Sequence, residues 1–219
     1  PLEGGVWPLL RDFRHESRHT ADCASFLAFS GELAAANSPE GLLDRLTAFY
    51  QTRGVGLLGM GQVFRARRTG NGAELVPVED RPPVRLADLV GYRQQKDLLI
   101  RNTEAFLRGK GSNNVLLYGD AGTGKSTSIQ ALVNEYADQG LRLIELYKEQ
   151  YDLIPDILRQ VKGRNYRFLL FLDDLSFEEN ETSYKYLKAV MEGGAEAPPE
   201  NVRICATSNR RHLVREVWS

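Results

Sequence analysis

The sequence predicts an α/β fold: an open, parallel sheet flanked by helices on both faces, preceded by a small α+β segment. Three observations carry this expectation. Apolar strand-like runs alternate with segments of helical periodicity from about residue 93 onward. One run, Arg167-Phe-Leu-Leu-Phe-Leu172, is apolar at consecutive positions, as a parallel strand covered on both faces requires. The polar motifs also fall directly after such runs, and in open sheets of this kind ligands gather beyond the carboxyl ends of the strands.

The elements follow in order. A helix over about 21–36 places Cys23, Phe26, Leu27, Leu33 and Ala34 at helical spacing. Ser38 and Pro39 supply an N-cap and a first-turn proline for a second helix carrying Leu42, Leu43, Leu46, Phe49 and Tyr50, so the two predict a small helical hairpin. Residues 62–67 and 74–78, separated by Thr69-Gly-Asn-Gly72, read as a β-hairpin, with Arg65-Ala-Arg-Arg68 on a solvated face. Every lysine-or-arginine position before Arg81-Pro82-Pro83 is arginine and the first lysine is Lys96, which places a domain boundary there: 1–83 as an N-terminal segment and 84–219 as the core. Downstream the pattern predicts helix 93–107, a strand from Val115, a helix over about 125–137, strand 141–146, helix 151–161, strand 167–172, a helix near 184–191 and a strand 202–206.

Composition bounds the function only loosely. A hydrophobic content of 42% suffices for a normal core, and a formal charge of −1 gives no global attraction to nucleic acid or anionic membrane. No apolar stretch approaches the length of a membrane span, and the N-terminus lacks a basic-then-apolar signal, so a cytoplasmic location without a membrane partner is expected. Cys23 and Cys205 lie far apart, and Cys205, inside an apolar run, reads as a buried structural thiol.

The chemistry begins at Gly119-Asp120-Ala121-Gly122-Thr123-Gly124-Lys125-Ser126, which fits G-x-x-x-x-G-K-[ST] after the apolar Val115-Leu-Leu-Tyr118. Glycines let successive backbone N–H groups face one cavity, where they can hold the oxygens of a nucleoside triphosphate. Lys125 is expected to reach the β- and γ-phosphates, Ser126 to complete the shell of a bridging Mg²⁺, and Thr127 to lie on the following helix, whose N-terminal dipole favours the anion. Asp173, closing an apolar strand, is the expected carboxylate for Mg²⁺, and the adjacent Asp174 the general base for an attacking water. Asn209, after the next strand, is the candidate for orienting that water; the order of phosphate loop, acidic strand end and polar strand end gives it weight.

From about Leu86 onward the chain resembles the AAA+ P-loop ATPases. Leu89-Val90-Gly91 resembles their adenine-side motif, the phosphate loop and Asp173-Asp174 their Walker A and Walker B elements, and Asn209 their first sensor. The strings Asp173-Asp-Leu-Ser-Phe-Glu178, Tyr184-Lys-Tyr-Leu-Lys188 and Ala206-Thr-Ser-Asn-Arg-Arg-His-Leu213 are similar to a bacterial family of predicted AAA+ ATPases of unknown function. The resemblance implies ATP or ADP with Mg²⁺ as ligands, a homo-oligomer in the full-length protein, and a protein or nucleic-acid partner. It also implies an arginine finger, for which Arg210, Arg211 and Arg215 are candidates, and a helical lid; ten residues follow Asn209, so the chain is expected to stop before the lid. The leading expectation is an ATPase doing conformational work on a macromolecule. The alternatives are a P-loop small-molecule phosphotransferase, for which residues 141–161 offer no acceptor site, and an ATP-dependent switch with little hydrolysis, suggested by aspartate where many related enzymes have glutamate.

Overall fold

The computed structural model describes residues 29–53, 57–70, 72–175, 177–178, 187, 198–209 and 214–215. It divides into two compact units, Pro1–Leu46 and Thr47–Ser219. The boundary expected at residues 81–83 therefore falls inside the second unit.

In the first unit, residues 29–34 are helical and α1 (Pro39–Arg53) begins, running on across the division. The Ser38 hydroxyl accepts the Gly41 N–H at 3.0 Å and Pro39 opens the first turn, the expected cap. Leu43 stays 64% exposed, so the apolar face anticipated for this helix is open to solvent at that position. Residues 21–28 of the first expected helix lie outside the described residues.

The second unit is built on a six-stranded sheet. After the short α2 (Leu57–Met60) come β1 (Val63–Thr69) and β2 (Gly72–Pro77), an antiparallel hairpin in register Thr69↔Gly72. Then follow α3 (Arg93–Leu107), β3 (Val115–Tyr118), α4 (Lys125–Tyr136), β4 (Leu141–Leu146), α5 (Ile154–Val161), β5 (Arg167–Leu172), the two-residue β6 (Phe177–Glu178), β7 (Val202–Ser208) and the two-residue β8 (Val214–Arg215), which pairs with β6. The strand order is β2-β1-β4-β5-β7-β3, parallel except for the hairpin. The hairpin, read from sequence as part of a separate N-terminal segment, thus extends the core sheet through β1 against β4. Of the helix expected near 184–191, only Leu187 is described, helical and buried.

Period-two alternation builds two cores from one set of strands. Phe168, Leu170 and Leu172 of β5 face α5 with its Ile154, Ile157 and Val161, while Leu169 and Phe171 face α3 and α4 with Phe106, Ile129 and Leu132. Each such side chain is worth about 1.5–3 kcal/mol on burial, which explains why β5, with a strand on either side and helices on both faces, is apolar throughout. Where the pattern predicted helix 151–161, a 3₁₀ segment covers Lys148–Leu153 and the α-helix proper starts at Ile154, with Pro155 in its first turn. Among the described residues no helix is long and apolar enough to cross a membrane.

Candidate functional site

The loop from Gly119 to Gly124 leaves edge strand β3 and delivers the chain into α4. Gly122 and Gly124 have φ of +77° and +84°, and a Cβ on either would meet no atom within 4 Å. Left-handed backbone rather than crowding calls for glycine at these positions. Lys125 opens α4, and its ammonium turns back to donate to the carbonyl oxygens of Gly119 at 2.9 Å and Asp120 at 2.7 Å; the Thr123 hydroxyl donates to the same Asp120 carbonyl at 2.9 Å. Asp120 and Ala121 are exposed at the loop tip, and Thr127 is half-buried in the first turn of the helix. The positive end of the α4 dipole faces this loop, an arrangement suited to an anion.

Strand β7 lies between β3 and β5, so the residue that follows it stands between the phosphate loop and the acidic turn. That residue is Asn209. Its Oδ1 accepts a hydrogen bond from Lys125 Nζ at 2.9 Å, and its Nδ2 donates to Asp174 Oδ1 at 2.9 Å. The Ser126 hydroxyl donates to Asp173 Oδ1 at 2.6 Å. The five side chains singled out from sequence at 125, 126, 173, 174 and 209 therefore form two hydrogen-bonded sets side by side, across three neighbouring strand ends.

The acidic turn has its own conformation. Asp174 sits at φ 51°, a left-handed state that aspartate tolerates better than most side chains. Strand β7 holds it there. The Asp174 N–H donates to Thr207 Oγ1 at 3.0 Å, the Thr207 hydroxyl donates to Asp173 Oδ1, the Leu175 N–H donates to the Thr207 carbonyl at 2.6 Å, and the Ser208 hydroxyl donates to the Leu175 carbonyl at 2.8 Å. Thr207 and Ser208 are each 1% exposed. Sequence reasoning missed Thr207; the available signal was a pair of hydroxyl residues closing a strand otherwise built mostly from apolar ones.

A cavity of about 340 Å³ opens beside the loop, between the start of α3 and β3, lined by Tyr92, Gln95, Lys96, Leu99, Leu117 and Tyr118 and reaching Thr123, Lys125 and Ser128. Its volume is in the range of small-molecule sites. Val90 and Gly91, expected on the adenine side, do not line it: Val90 is 94% exposed, and Gly91 at φ +81° turns the chain so that Tyr92, itself at φ 48°, caps the start of α3. Lys96 Nζ ties the turn down by donating to the Leu89 carbonyl at 2.6 Å. Tyr92 and Tyr118 escaped the sequence reading because nothing in the local pattern separates a cavity-lining tyrosine from a surface one.

The donor set fits Mg²⁺. The ion takes hard oxygen ligands, typically one or two carboxylates completed by phosphate and water. Ser126 Oγ and the Asp173 carboxylate, 2.6 Å apart, are such a pair. No cluster of three or more His, Cys, Asp or Glu exists among the described residues, so the fit is to an ion shared with a phosphate rather than to a protein-only cage.

Other expected residues fall elsewhere. Arg65, Arg67 and Arg68 on the hairpin pair with Glu145 at 3.0 Å, Glu74 at 2.6 Å and Asp152 at 2.8 Å, so the exposed cluster is offset by carboxylates. The hydrogen bond from Arg68 holds the Asp152 carboxyl below its ordinary range, against the smaller opposing effect of desolvation. Cys205 is a free, buried thiol in β7, and burial pushes it up to about 12; Cys23 lies outside the described residues. Arg210 and Arg211 also lie outside them, and Arg215 is placed only as backbone in β8, paired with Glu178.

The chain is 36% identical over 90 residues to the replication factor C large subunit of Staphylothermus marinus and 31% identical over 104 residues to that of Methanococcus vannielii, matches covering 41% and 45% of this chain. It spans 21% of the length of each of these curated relatives. Among solved structures, a RuvB of Thermotoga maritima superposes with a TM-score of 0.43 and 20% identity over 62% of this chain and 44% of that one, too low to carry weight. A family model described as protein of unknown function (DUF815) matches residues 60–219, the hairpin and the entire phosphate-loop sheet. With more than half of its length so matched, this chain belongs to the DUF815 family.

Proposed function

We propose that the chain is the nucleotide-binding core of an AAA+ ATPase that binds Mg-ATP and couples its hydrolysis to conformational work on a protein or nucleic-acid partner. One observation carries this reading: Lys125, Asn209 and Asp174 form a continuous chain of 2.9 Å hydrogen bonds beside the Ser126–Asp173 pair. A cation, a neutral amide, a carboxylate and a hard-oxygen pair at one helix N-terminus are the groups that phosphoanhydride hydrolysis needs.

In this reading the loop amides and Lys125 take the β- and γ-phosphates, and the base enters the cavity lined by Tyr92 and Tyr118. Ser126 and Asp173 hold Mg²⁺, which supplies neutralisation of phosphate charge when bound. Asn209 orients the attacking water. Asp174 accepts its proton as the new O–P bond forms and the bond from the γ-phosphorus to the bridging oxygen breaks, releasing ADP. A cytoplasmic homo-oligomer with a finger supplied by a neighbouring subunit belongs to the same proposal.

The test is calorimetric titration of the full-length protein with Mg-ATP, followed by phosphate release across a dilution series, each with Lys125→Ala as control. Binding, and release that rises per subunit with protein concentration, are expected. Absence of binding sinks the reading. A second reading, a switch that binds ATP and scarcely hydrolyses it, draws on Asp174, whose short carboxylate is engaged by Asn209; binding without release favours it.

A further inference from the structure

We infer that Thr207 is a positioning residue for the divalent ion, setting the orientation of the Asp173 carboxylate through its hydroxyl while the same oxygen anchors the backbone of Asp174. The inference rests on the proposed nucleotide site.

A threonine hydroxyl has one donor and two acceptor lone pairs. Here the donor goes to Asp173 Oδ1 and one lone pair takes the Asp174 N–H at 3.0 Å. Asp173 Oδ1 therefore receives two hydroxyl donors, from Ser126 and from Thr207, which fixes the rotation of the carboxylate about its own axis. A buried strand-end threonine whose only task was to satisfy an orphaned amide would need just the second of its two bonds. The first reaches the one carboxylate paired with the loop serine. Thr207 near the end of β7 and Asn209 just beyond it both engage the acidic turn, Thr207 through Asp173 and Asn209 through Asp174. Groups that orient metal ligands commonly change metal affinity by about 10- to 100-fold when removed.

ADP binding to the full-length protein, followed by calorimetry along a Mg²⁺ series and in excess chelator, reads this directly. Thr207→Val is expected to raise the Mg²⁺ concentration at half-effect by about tenfold while leaving metal-free ADP affinity as in the wild type. Thr207→Ser restores the wild-type midpoint, because it restores the hydroxyl. Ser208→Ala, which removes the neighbouring bond of the same turn without touching either carboxylate, keeps the wild-type midpoint. If Thr207→Val does not fold, Thr207→Ala supplies the same reading. An unchanged midpoint in the variant lacking the hydroxyl overturns the inference, as does an equal shift in Ser208→Ala or a failure of serine to rescue. A wild-type protein that takes up no ADP under any condition overturns the proposed function first, and this inference with it; wild-type uptake with an unmoved variant midpoint overturns the inference alone.

Discussion

Lys125 and Asn209, 84 positions apart in the chain, are joined by a 2.9 Å hydrogen bond from the ammonium to the amide oxygen. The amide nitrogen of Asn209 reaches Asp174 at the same distance, so one neutral side chain spans the cation of the loop and the carboxylate of the acidic turn. Asn209→Ala breaks both bonds without adding charge. Hydrolysis is expected to fall by about 10²-fold while ATP affinity changes little, as read by single-turnover phosphate release beside equilibrium binding. An affinity loss as large as the rate loss counts against a role in the chemical step.

Lys125 is expected to act on binding itself. A charge-assisted hydrogen bond is worth about 1.5–3 kcal/mol, so Lys125→Ala should weaken Mg-ATP by about 10- to 100-fold. Because Lys125 also ties Gly119 and Asp120 together, the variant loop should become more susceptible to limited proteolysis without ligand. Both effects are measurable on one preparation, by calorimetry and by digestion.

Asp174 separates conformation from chemistry. Asparagine accepts the left-handed backbone at φ 51°, whereas a β-branched residue there costs about 1–2 kcal/mol. Asp174→Asn should keep wild-type stability and lose hydrolysis; Asp174→Val should lose both. Urea denaturation of the two variants checks the first half, and phosphate release the second.

The buried thiol of Cys205 gives a pH signature. Burial raises it from 9.0 to about 12, so the folded chain keeps the proton while the unfolded chain releases it. The associated stability is complete below pH 9.0 and is lost as pH rises from there towards about 12. Denaturant midpoints measured from about pH 8 to about pH 10.5 should fall more steeply for the wild type than for Cys205→Ala.

Asn134 on α4 staples down the segment after the hairpin. Its Nδ2 donates to the Pro82 and Val84 carbonyls at 3.1 and 2.9 Å, and its Oδ1 accepts from Arg81 at 3.1 Å. Asn134→Ala is expected to cost about 1–3 kcal/mol through the groups left unsatisfied and to accelerate tryptic cleavage at Arg85. Thermal unfolding and a digestion time course test it.

The strands and the phosphate loop were legible because their signals are local. Apolar runs at 115–118, 141–146 and 167–172 appear as strands at those same bounds, and the order of three polar motifs anticipated three strand ends in one place. What was not legible depends on contacts between distant segments. The composition change at 81–83 marks a loop pinned to α4, not an edge of the sheet, because β1 pairs with β4 from about 80 residues away. Likewise Thr207, just past the expected strand 202–206, carries no signal of its own until the acidic turn lies beside it, and Tyr92 rather than Val90 lines the cavity because of a left-handed pair of residues that periodicity does not reveal.

The ammonium of Lys125 has three N–H bonds, and Gly119, Asp120 and Asn209 engage all of them. A phosphoryl oxygen arriving there competes with acceptors the chain itself provides. Any nucleotide affinity measured for this protein would therefore be a net exchange, in which bonds the ammonium already makes within the chain are traded for bonds to the ligand.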